Sequence, residues 1–358
     1  MLQRTLRLAS RTSILALGAL ALAAPGAMLA TPALADGELN LYSSRHYDTD
    51  ERLYSDFEEL TGITINRIEA SAEELIARMD EEGANSPADI LMTVDAGRLW
   101  RADQLGLFQP YESADLDERV PSYLRHPAGH WYGFSQRARV IFYDKSDVAN
   151  PPMSYQDLAD PQYEGQVCAR SSSNIYMLSL MAGLVGHLGE DAATQWGEGL
   201  VSNFAREPEG NDTAQIRALV SGECDIVLSN TYYFGRILRR LAEGNPVEGF
   251  EDQAAIDGIG WVFPNQEDSG SHVNISGAGI AANAPNPENA ALFLEYLASD
   301  QAQAYFSAGN DEYPAVMGTP ISASVAQLGF FRQDTQNLSV LGENQPLAQE
   351  IYNGIGYR

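Results

Sequence analysis

The sequence has few positively charged residues, with 22 Lys+Arg against 49 Asp+Glu among 358 residues, and Lys145 is its only lysine. The formal net charge at pH 7 is −27, and so acidic a field repels the phosphates of nucleic acids and anionic lipid headgroups. Arginine suits bidentate pairing with carboxylates and anions, but its prevalence marks no site by itself. The composition therefore argues against nucleic acid as a partner.

Several catalytic and cofactor motifs are also missing: C-x-x-C, H-E-x-x-H, the Walker A loop and G-x-S-x-G. His126 and His130 are four residues apart, but the intervening Pro127 and Gly129 argue against a helical zinc-protease site. We interpret them as loop histidines. Residues 277–282 match a dinucleotide-binding glycine motif only loosely, and we interpret them as a tight strand crossing.

Long apolar runs are missing outside the N-terminal region. There, three arginines precede an apolar stretch over residues 14–24, followed by the small-x-small pattern Ala33-Leu34-Ala35. The stretch is too short to span a bilayer, which needs about 20 residues. We predict a cleavable signal peptide over residues 1–35 and a periplasmic protein.

Cysteine is scarce, and both cysteines, Cys168 and Cys224, lie in the predicted exported part. An oxidising compartment permits a disulfide between them, and no neighbouring histidines favour a metal site instead. The bridge would close a loop of about 56 residues, which stabilises the fold by about 4 kcal/mol in the chain-entropy model. We expect a structural disulfide.

From Gly37 onward, short apolar strands alternate with amphipathic helices, a pattern typical of an α/β fold. A second series of strands and helices begins after Pro151-Pro152. The predicted strands include residues 38–44, 63–68, 88–94, 139–143, 165–172 and 224–230, and the predicted helices include 175–188, 286–298 and 301–308. Leu53, Phe57 and Leu60 recur at helical spacing before Gly62, and Ser71-Ala72-Glu73-Glu74 is a capping-box start for the next helix. Residues 139–143 and the strand-like segment 259–282 are expected to cross between two domains.

Two α/β domains joined by two hinge crossings form a clamp with a cleft between them. We predict that residues 36–136 and 275–315 form lobe 1 and that residues 137–274 form lobe 2. Residues 316–358 are predicted as a C-terminal helical segment that the sequence does not assign to either lobe.

Three strand-to-helix junctions carry tyrosine in the first turn of the following helix. They are Ser43-Ser44-Arg45-His46-Tyr47-Asp48, Arg170-Ser171-Ser172-Ser173-Asn174-Ile175-Tyr176 and Ser229-Asn230-Thr231-Tyr232-Tyr233-Phe234-Gly235-Arg236. Ligands of open α/β sheets bind beyond the carboxyl ends of the strands, so the three junctions point at one crevice. A single such tyrosine is usually a half-buried aromatic residue, but four together indicate a site.

Phenolate oxygen is a hard, anionic donor with an ordinary pKa of about 10. Several phenolates ionised together at neutral pH need a strongly charged cation to offset their repulsion. Ferric iron meets this requirement, whereas Ca²⁺ and Mg²⁺ favour carboxylates, carbonyls and water. Imidazole also suits iron.

These motifs resemble those of the periplasmic ferric-iron-binding proteins that feed bacterial ABC importers, especially their tyrosine-rich, anion-independent branch. The likeness spans nearly the whole mature chain and includes residues 137–141 and 311–314. It implies a bilobal periplasmic-binding-protein (type II) fold with Fe³⁺ as the transported ligand. It also implies delivery to an inner-membrane ABC permease with its ATPase.

The resemblance implies a ligand set contributed by both lobes. The implied metal ligands are Tyr47 from lobe 1, Tyr176, Tyr232 and Tyr233 from lobe 2, and His46 as a candidate fifth ligand. Arg236 follows Tyr232 and Tyr233 by one helical turn, so it could support their phenolate character. Arg137 and Arg45 could do the same, or could pair with carboxylates.

Four phenolates around Fe³⁺ sum to a charge of −1, so the implied site needs no synergistic anion. Fe²⁺ would leave −2 on the same ligands, which should weaken binding. We therefore hypothesise that reduction or acidification releases the metal.

Two alternatives remain open. The same cleft could hold an organic or oxyanion solute, with Tyr232 and Tyr233 stacking on it and Arg236 pairing with its charge. An exported iron-dependent enzyme would need open coordination positions, whereas five protein ligands favour transfer over turnover. We expect a monomeric binding protein rather than an enzyme.

Overall fold

The structure, a computed structural model, describes residues 37–45 and 47–358. The predicted leader, residues 1–35, and His46 lie outside the described residues. The strands are β1 Gly37–Ser43, β2 Ile63–Glu69, β3 Ile90–Thr93, β4 Tyr132–Asp144, β5 Val167–Cys168, β6 Ile226–Asn230, β7 Ile259–Val262, β8 Val273–Ile280 and β9 Tyr313–Pro314.

Several helices pack against the strands. The helices are α1 Glu51–Thr61, α2 Ala72–Glu82, α3 Ala96–Gln104, α4 Ala114–Arg119, α5 Ile175–Leu188, α6 Glu190–Ser202, α7 Asp212–Val220, α8 Thr231–Ala242, α9 Gln253–Asp257, α10 Pro287–Leu297, α11 Asp300–Asn310, α12 Ala323–Leu328, α13 Ser339–Glu343 and α14 Gln345–Gly354. In the described part of the chain, none of them combines the length and the apolar character needed to cross a bilayer.

The strands form a mixed sheet in the order β2-β1-β3-β8-β4-β6-β5, and β7 and β9 also pair with β4. Strand β1 runs parallel to β2 and β3, while β8 is antiparallel to β3 and β4. Strand β4 belongs to two groups of strands: residues 132–138 pair with β8, and residues 139–144 pair with β6 and β7. The predicted α/β class is confirmed.

Local sequence signals account for the first helices. Helix α2 begins with the predicted capping box, in which the Ser71 side chain accepts from the Glu74 N–H and the Glu74 side chain accepts from the Ser71 N–H. Helix α1 ends at Gly62, whose φ of 79° is the left-handed conformation that favours glycine. Leu53 and Phe57 of α1 are buried, whereas Leu60 on the predicted apolar face is 57% exposed.

Helix α5 is apolar on nearly all sides and is buried from Met177 to Val185. Such a helix needs partners around its whole circumference. The C-terminal helices α13 and α14 pack against it, together with α6. The last segment of the chain therefore completes the core around α5.

Three predicted strands differ most from the structure, and the others differ by one or two residues at their ends. The strand predicted over 165–172 is only β5, residues 167–168, because the chain then leaves the sheet and the Ser172 N–H bonds to the Arg358 carbonyl at 3.0 Å. Strand β4 is longer than the predicted 139–143. The strand-like segment 259–282 is divided into β7 and β8 by residues 263–272.

The disulfide between Cys168 and Cys224 is present, so this prediction is confirmed. It joins β5 to the segment that leads into β6, and these two strands pair in parallel. Both cysteines are buried. The bond thus ties together the strands that precede α5 and α8.

Replacing both cysteines by serine is expected to lower the free energy of unfolding by about 2–4 kcal/mol, because the unfolded chain regains the entropy of a long closed loop. The two cysteines are 56 residues apart in sequence, and this separation sets the size of the loop. Urea unfolding of the double variant and the oxidised protein measures the difference. An unchanged midpoint at the same slope would contradict the prediction.

Candidate metal centre

Tyr47 lies four residues after the end of β1, and Arg45 stands in the segment between them. The Arg45 guanidinium donates to both oxygens of Asp50, at 2.9 and 3.1 Å, and to Glu312 Oε2 at 3.1 Å. It also lies 4.9 Å from the centre of the Tyr47 ring. Arg45 is therefore paired with carboxylates, which is one of the two roles considered from the sequence, and its guanidinium lies beside the Tyr47 ring.

Tyr176 and Tyr232 meet at their hydroxyl groups, whose oxygens are 3.0 Å apart. Tyr176 lies in the first turn of α5, where the Asn174 side chain caps the helix by accepting from the Tyr176 N–H at 3.1 Å. Tyr232 lies in the first turn of α8, directly after β6. Two strand-to-helix junctions that are 56 residues apart in sequence thus bring phenol oxygens into contact.

Tyr233 packs against this pair. The rings of Tyr232 and Tyr233 have centres 4.2 Å apart and are inclined by 31°. Tyr232 is buried, while Tyr47, Tyr176 and Tyr233 are half-buried. The rim of the cluster is therefore partly accessible to solvent.

The tyrosines influence one another's ionisation. Burial, with the Glu312 carboxylate, raises the pKa of Tyr47 to about 12. Burial raises the pKa of Tyr232 well above 10, and the neighbouring Tyr176, Tyr233 and Tyr47 raise it further. Burial and Tyr176 likewise raise the pKa of Tyr233. In the absence of a cation, these three phenols are therefore protonated at neutral pH.

Guanidinium groups lie over the rings of the cluster. Arg236 is 5.7 Å from the ring centres of both Tyr232 and Tyr233, and Arg137 is 5.8 Å from the ring centre of Tyr176. Arg137 is buried, and its Nε and Nη2 have no hydrogen-bond partner among the described residues. Both arginines bring positive charge to the side of the cluster, where it would favour a negatively charged oxygen.

Two charged residues beside the tyrosines, Glu312 and Arg170, were not predicted from the sequence as site residues. Glu312 is buried next to Tyr47 and accepts from Ser135 Oγ at 2.9 Å as well as from Arg45. Arg170 lies 5.4 Å from the ring centre of Tyr176 and donates to Asp212 at 2.7 Å. Glu312 and Arg170 stand within the quoted motifs, but no local signal indicates that either side chain turns toward a tyrosine.

The structure thus gathers Tyr176, Tyr232 and Tyr233 into one cluster, with Tyr47 close enough for electrostatic interaction with Tyr176 and Tyr232. His46, the candidate fifth ligand, lies outside the described residues. Four phenol oxygens beside several guanidinium groups can bind a hard, highly charged cation once they lose their protons.

Known proteins resemble the chain over most of its length. Iron uptake protein A1 of Synechocystis sp. is 51% identical over 322 residues, covering 90% of this chain and 88% of that protein. The Fe(3+)-binding periplasmic protein of Serratia marcescens is 27% identical over 322 residues, covering 88% of this chain and 90% of that protein.

A solved structure of the Trichodesmium protein IdiA (FutA), in complex with iron and citrate ligands, matches with a TM-score of 0.84 and 49% identity. The match covers 90% of this chain and 100% of that chain. This structural match confirms the predicted periplasmic-binding-protein (type II) fold.

A sequence profile of one family matches residues 85–328, which is more than half of the chain. This is a family of solute-binding proteins rather than of enzymes. The profile match and the similarity to the Synechocystis protein lead to the same conclusion. The chain belongs to the bacterial extracellular solute-binding protein family.

Proposed function

We propose that this protein captures Fe³⁺ with Tyr47, Tyr176, Tyr232 and Tyr233 and delivers it to an ABC permease. The observation that carries the proposal is the 3.0 Å contact between the hydroxyl oxygens of Tyr176 and Tyr232, with the Tyr233 ring packed against that of Tyr232. Relatives with half of their residues identical are named for iron uptake, and a structural neighbour holds iron. Iron is the cargo here, not a catalytic cofactor.

The charges of the site suit a trivalent ion. Four phenolates leave a net charge of −1 around Fe³⁺, and the guanidinium groups of Arg137 and Arg236 lie near enough to offset it. Fe²⁺ would leave −2 on the same ligands. We therefore infer that Fe³⁺ binds more tightly than Fe²⁺, and that reduction or acidification weakens binding.

We infer that metal binding closes a clamp. Tyr47 follows β1 in the predicted lobe 1, residues 36–136 and 275–315, while the other three ligands belong to the predicted lobe 2, residues 137–274. Strand β4 pairs with one group of strands up to residue 138 and with another from residue 139, which supports a crossing there. A metal bonded to both sides favours the closed state through its differential contacts.

The family indicates the compartment in which the protein acts. Its members are extracellular solute-binding proteins, and we infer a periplasmic location reached through the predicted signal peptide over residues 1–35. The partner is an inner-membrane ABC permease with its ATPase, which distinguishes the closed, loaded protein from the empty one. We expect a monomer.

Adding Fe³⁺ as its citrate complex to iron-free protein is expected to produce a visible phenolate-to-iron charge-transfer band. The Tyr176→Phe variant should bind Fe³⁺ at least about tenfold more weakly, because it loses one anionic ligand. Absorbance titration against competing citrate measures both effects.

Tyr143→Phe is the matched control. Tyr143 is also half-buried, but it pairs with Ile226 at the start of β6, whereas Tyr232 follows the last residue of β6. Loss of the Tyr143 hydroxyl should therefore leave the band and the affinity unchanged. Absence of the band in wild-type protein, together with calorimetric binding of an oxyanion or organic solute, would favour the alternative ligand for this cleft.

A further inference from the structure

His126 and His130 lie at the two sides of a rigid turn. The antiparallel bridge between Arg125 and Tyr132 closes it, and the His126 N–H donates to the Trp131 carbonyl at 2.9 Å. This turn, residues 125–132, leads directly into β4. The backbone therefore holds the two histidines in a fixed relation.

Gly129 fixes the position of the turn against the rest of the protein. Its φ is +73°, and its carbonyl accepts from the Tyr111 N–H at 3.0 Å. A Cβ at Gly129 would lie 2.6 Å from the Tyr111 carbonyl oxygen, which is too close. Any other residue at this position would force the backbone to move. The glycine lets the turn approach residue 111, which stabilises the arrangement of both histidines.

The two imidazole rings are parallel and converge on one carboxylate. Their centres are 4.5 Å apart and their planes differ by 6°. His130 Nδ1 is in close contact with Asp103 Oδ1 at the end of α3, and His126 Nε2 lies 3.6 Å from Asp103 Oδ2. Ligand atoms from the three residues lie within 4.8 Å of one another.

The distance between His126 Nε2 and Asp103 is too long for a good hydrogen bond, which needs about 3.2 Å or less. Two ligands on a tetrahedral zinc ion, each about 2.0–2.2 Å from the metal, are separated by about 3.3 Å. The 3.6 Å distance is therefore close to a ligand-to-ligand separation. His130 Nδ1 and Asp103 Oδ1 are hydrogen-bonded, as are His187 and Asp334 at 2.7 Å, so the His130 and Asp103 atoms must separate when they hold an ion.

We propose that Asp103, His126 and His130 form a second metal site, for a divalent transition cation of the zinc class. Two imidazole nitrogens and one carboxylate oxygen are typical zinc ligands, and three protein ligands leave a fourth position for water. The donors differ from the phenols of the tyrosine cluster, so the two sites select different ions. This site does not depend on the proposed iron function.

An ion can reach this site from solvent. The side chains of Asp103, His126 and His130 are 10%, 17% and 27% exposed. His126 also lines a groove of about 730 Å³ with the acidic residues Glu112 and Asp117. The acidic net charge of the chain raises the local concentration of cations.

One hydrogen bond of His126 opposes metal binding. The Ala128 N–H donates to His126 Nδ1 at 3.1 Å, so Nδ1 is unprotonated in the neutral ring. Coordination through Nε2 moves the ring proton to Nδ1 and gives up this bond. Because the bond is exposed, water can accept from Ala128 in its place.

Isothermal titration of the iron-free full chain with Zn²⁺ tests the site. Wild-type protein is expected to bind one Zn²⁺ here, and His130→Ala and Asp103→Asn should each weaken that binding at least about tenfold, since even loss of an outer-shell partner costs about 10–100-fold. His187→Ala, a histidine with one carboxylate partner, and Tyr176→Phe should leave it unchanged. An anomalous scattering peak at the zinc edge between His126 and His130 would locate the ion.

Equal Zn²⁺ affinity in wild type, His130→Ala and Asp103→Asn would overturn the proposal, as would an equal loss in His187→Ala. Circular dichroism and urea unfolding show whether each variant is folded. His126→Gln keeps much of the side-chain volume, and the same loss of Zn²⁺ binding is expected from it if the turn is intact. Retained binding by folded His126→Gln would exclude His126 as a ligand.

Discussion

Fe³⁺ binding to the iron-free protein is expected to release about four protons at pH 7, one for each coordinating phenol, so the apparent association constant falls about 10⁴-fold per unit of pH decrease. Burial raises the pKa of Tyr232 and Tyr233, and burial with Glu312 raises that of Tyr47 to about 12. In the proposed binding mode, these phenols are protonated without metal and lose their protons on binding. Protons are then expected to compete with iron, so lowering the pH should weaken binding.

Proton release is measured in weakly buffered solution with an indicator dye. Iron transfer from the same Fe³⁺ citrate solution to a chelator of known protonation is the blank, because the citrate that iron leaves takes up protons. The Tyr232→Phe variant should release one proton fewer per iron bound, because phenylalanine has no hydroxyl group. A pH-independent affinity, or release no greater than the blank, would mean that the metal is not held by phenolates.

Replacing Asp212 by alanine is expected to lower the free energy of unfolding by about 3–5 kcal/mol, because it leaves a buried arginine without its carboxylate partner. Asp212 is fully buried and contacts the Arg139 guanidinium, whose residue is 1% exposed. It also accepts from Arg170 at 2.7 Å and from the Asn230 N–H at 3.1 Å. One carboxylate thus joins β4, β6 and the segment before α5.

The Asp212 variant should also bind iron more weakly, since Arg170 lies over the Tyr176 ring and Asn230 precedes α8. Asp300→Ala provides the comparison. The Asp300 side chain is 84% exposed and pairs with Arg119, so its loss should change stability by no more than about 1 kcal/mol. Urea unfolding measures both variants, and equal midpoints would refute the role given to Asp212.

Short-range patterns predicted much of the fold. Alternating apolar residues located β1 and β2, and the Ser71 capping box located α2, because these signals act within a few residues of the chain. The strand predicted over 165–172 was mostly wrong. Its residues have no partner strand beyond Cys168, and strand length depends on pairing that the local sequence does not contain.

The disulfide followed from composition and compartment, since only Cys168 and Cys224 are available. The tyrosines could be proposed as a cluster because three similar motifs each follow a strand. Their spacing could not be predicted: the 3.0 Å contact between Tyr176 and Tyr232 depends on how β5 and β6 pair. Small differences in strand register move such oxygens by several ångströms.

The sequence alone determined the acidic charge, the two-cysteine bridge and the supply of tyrosines at strand ends, since each depends on residue identity and local pattern. Tertiary structure alone decided which charged side chains lie beside these tyrosines. Glu312 lies beside Tyr47, and Arg170, which Asp212 holds, lies beside Tyr176. It also decided that His126 and His130 stack and meet Asp103. These contacts join residues far apart in the chain, and only the packing of the folded protein sets their distances.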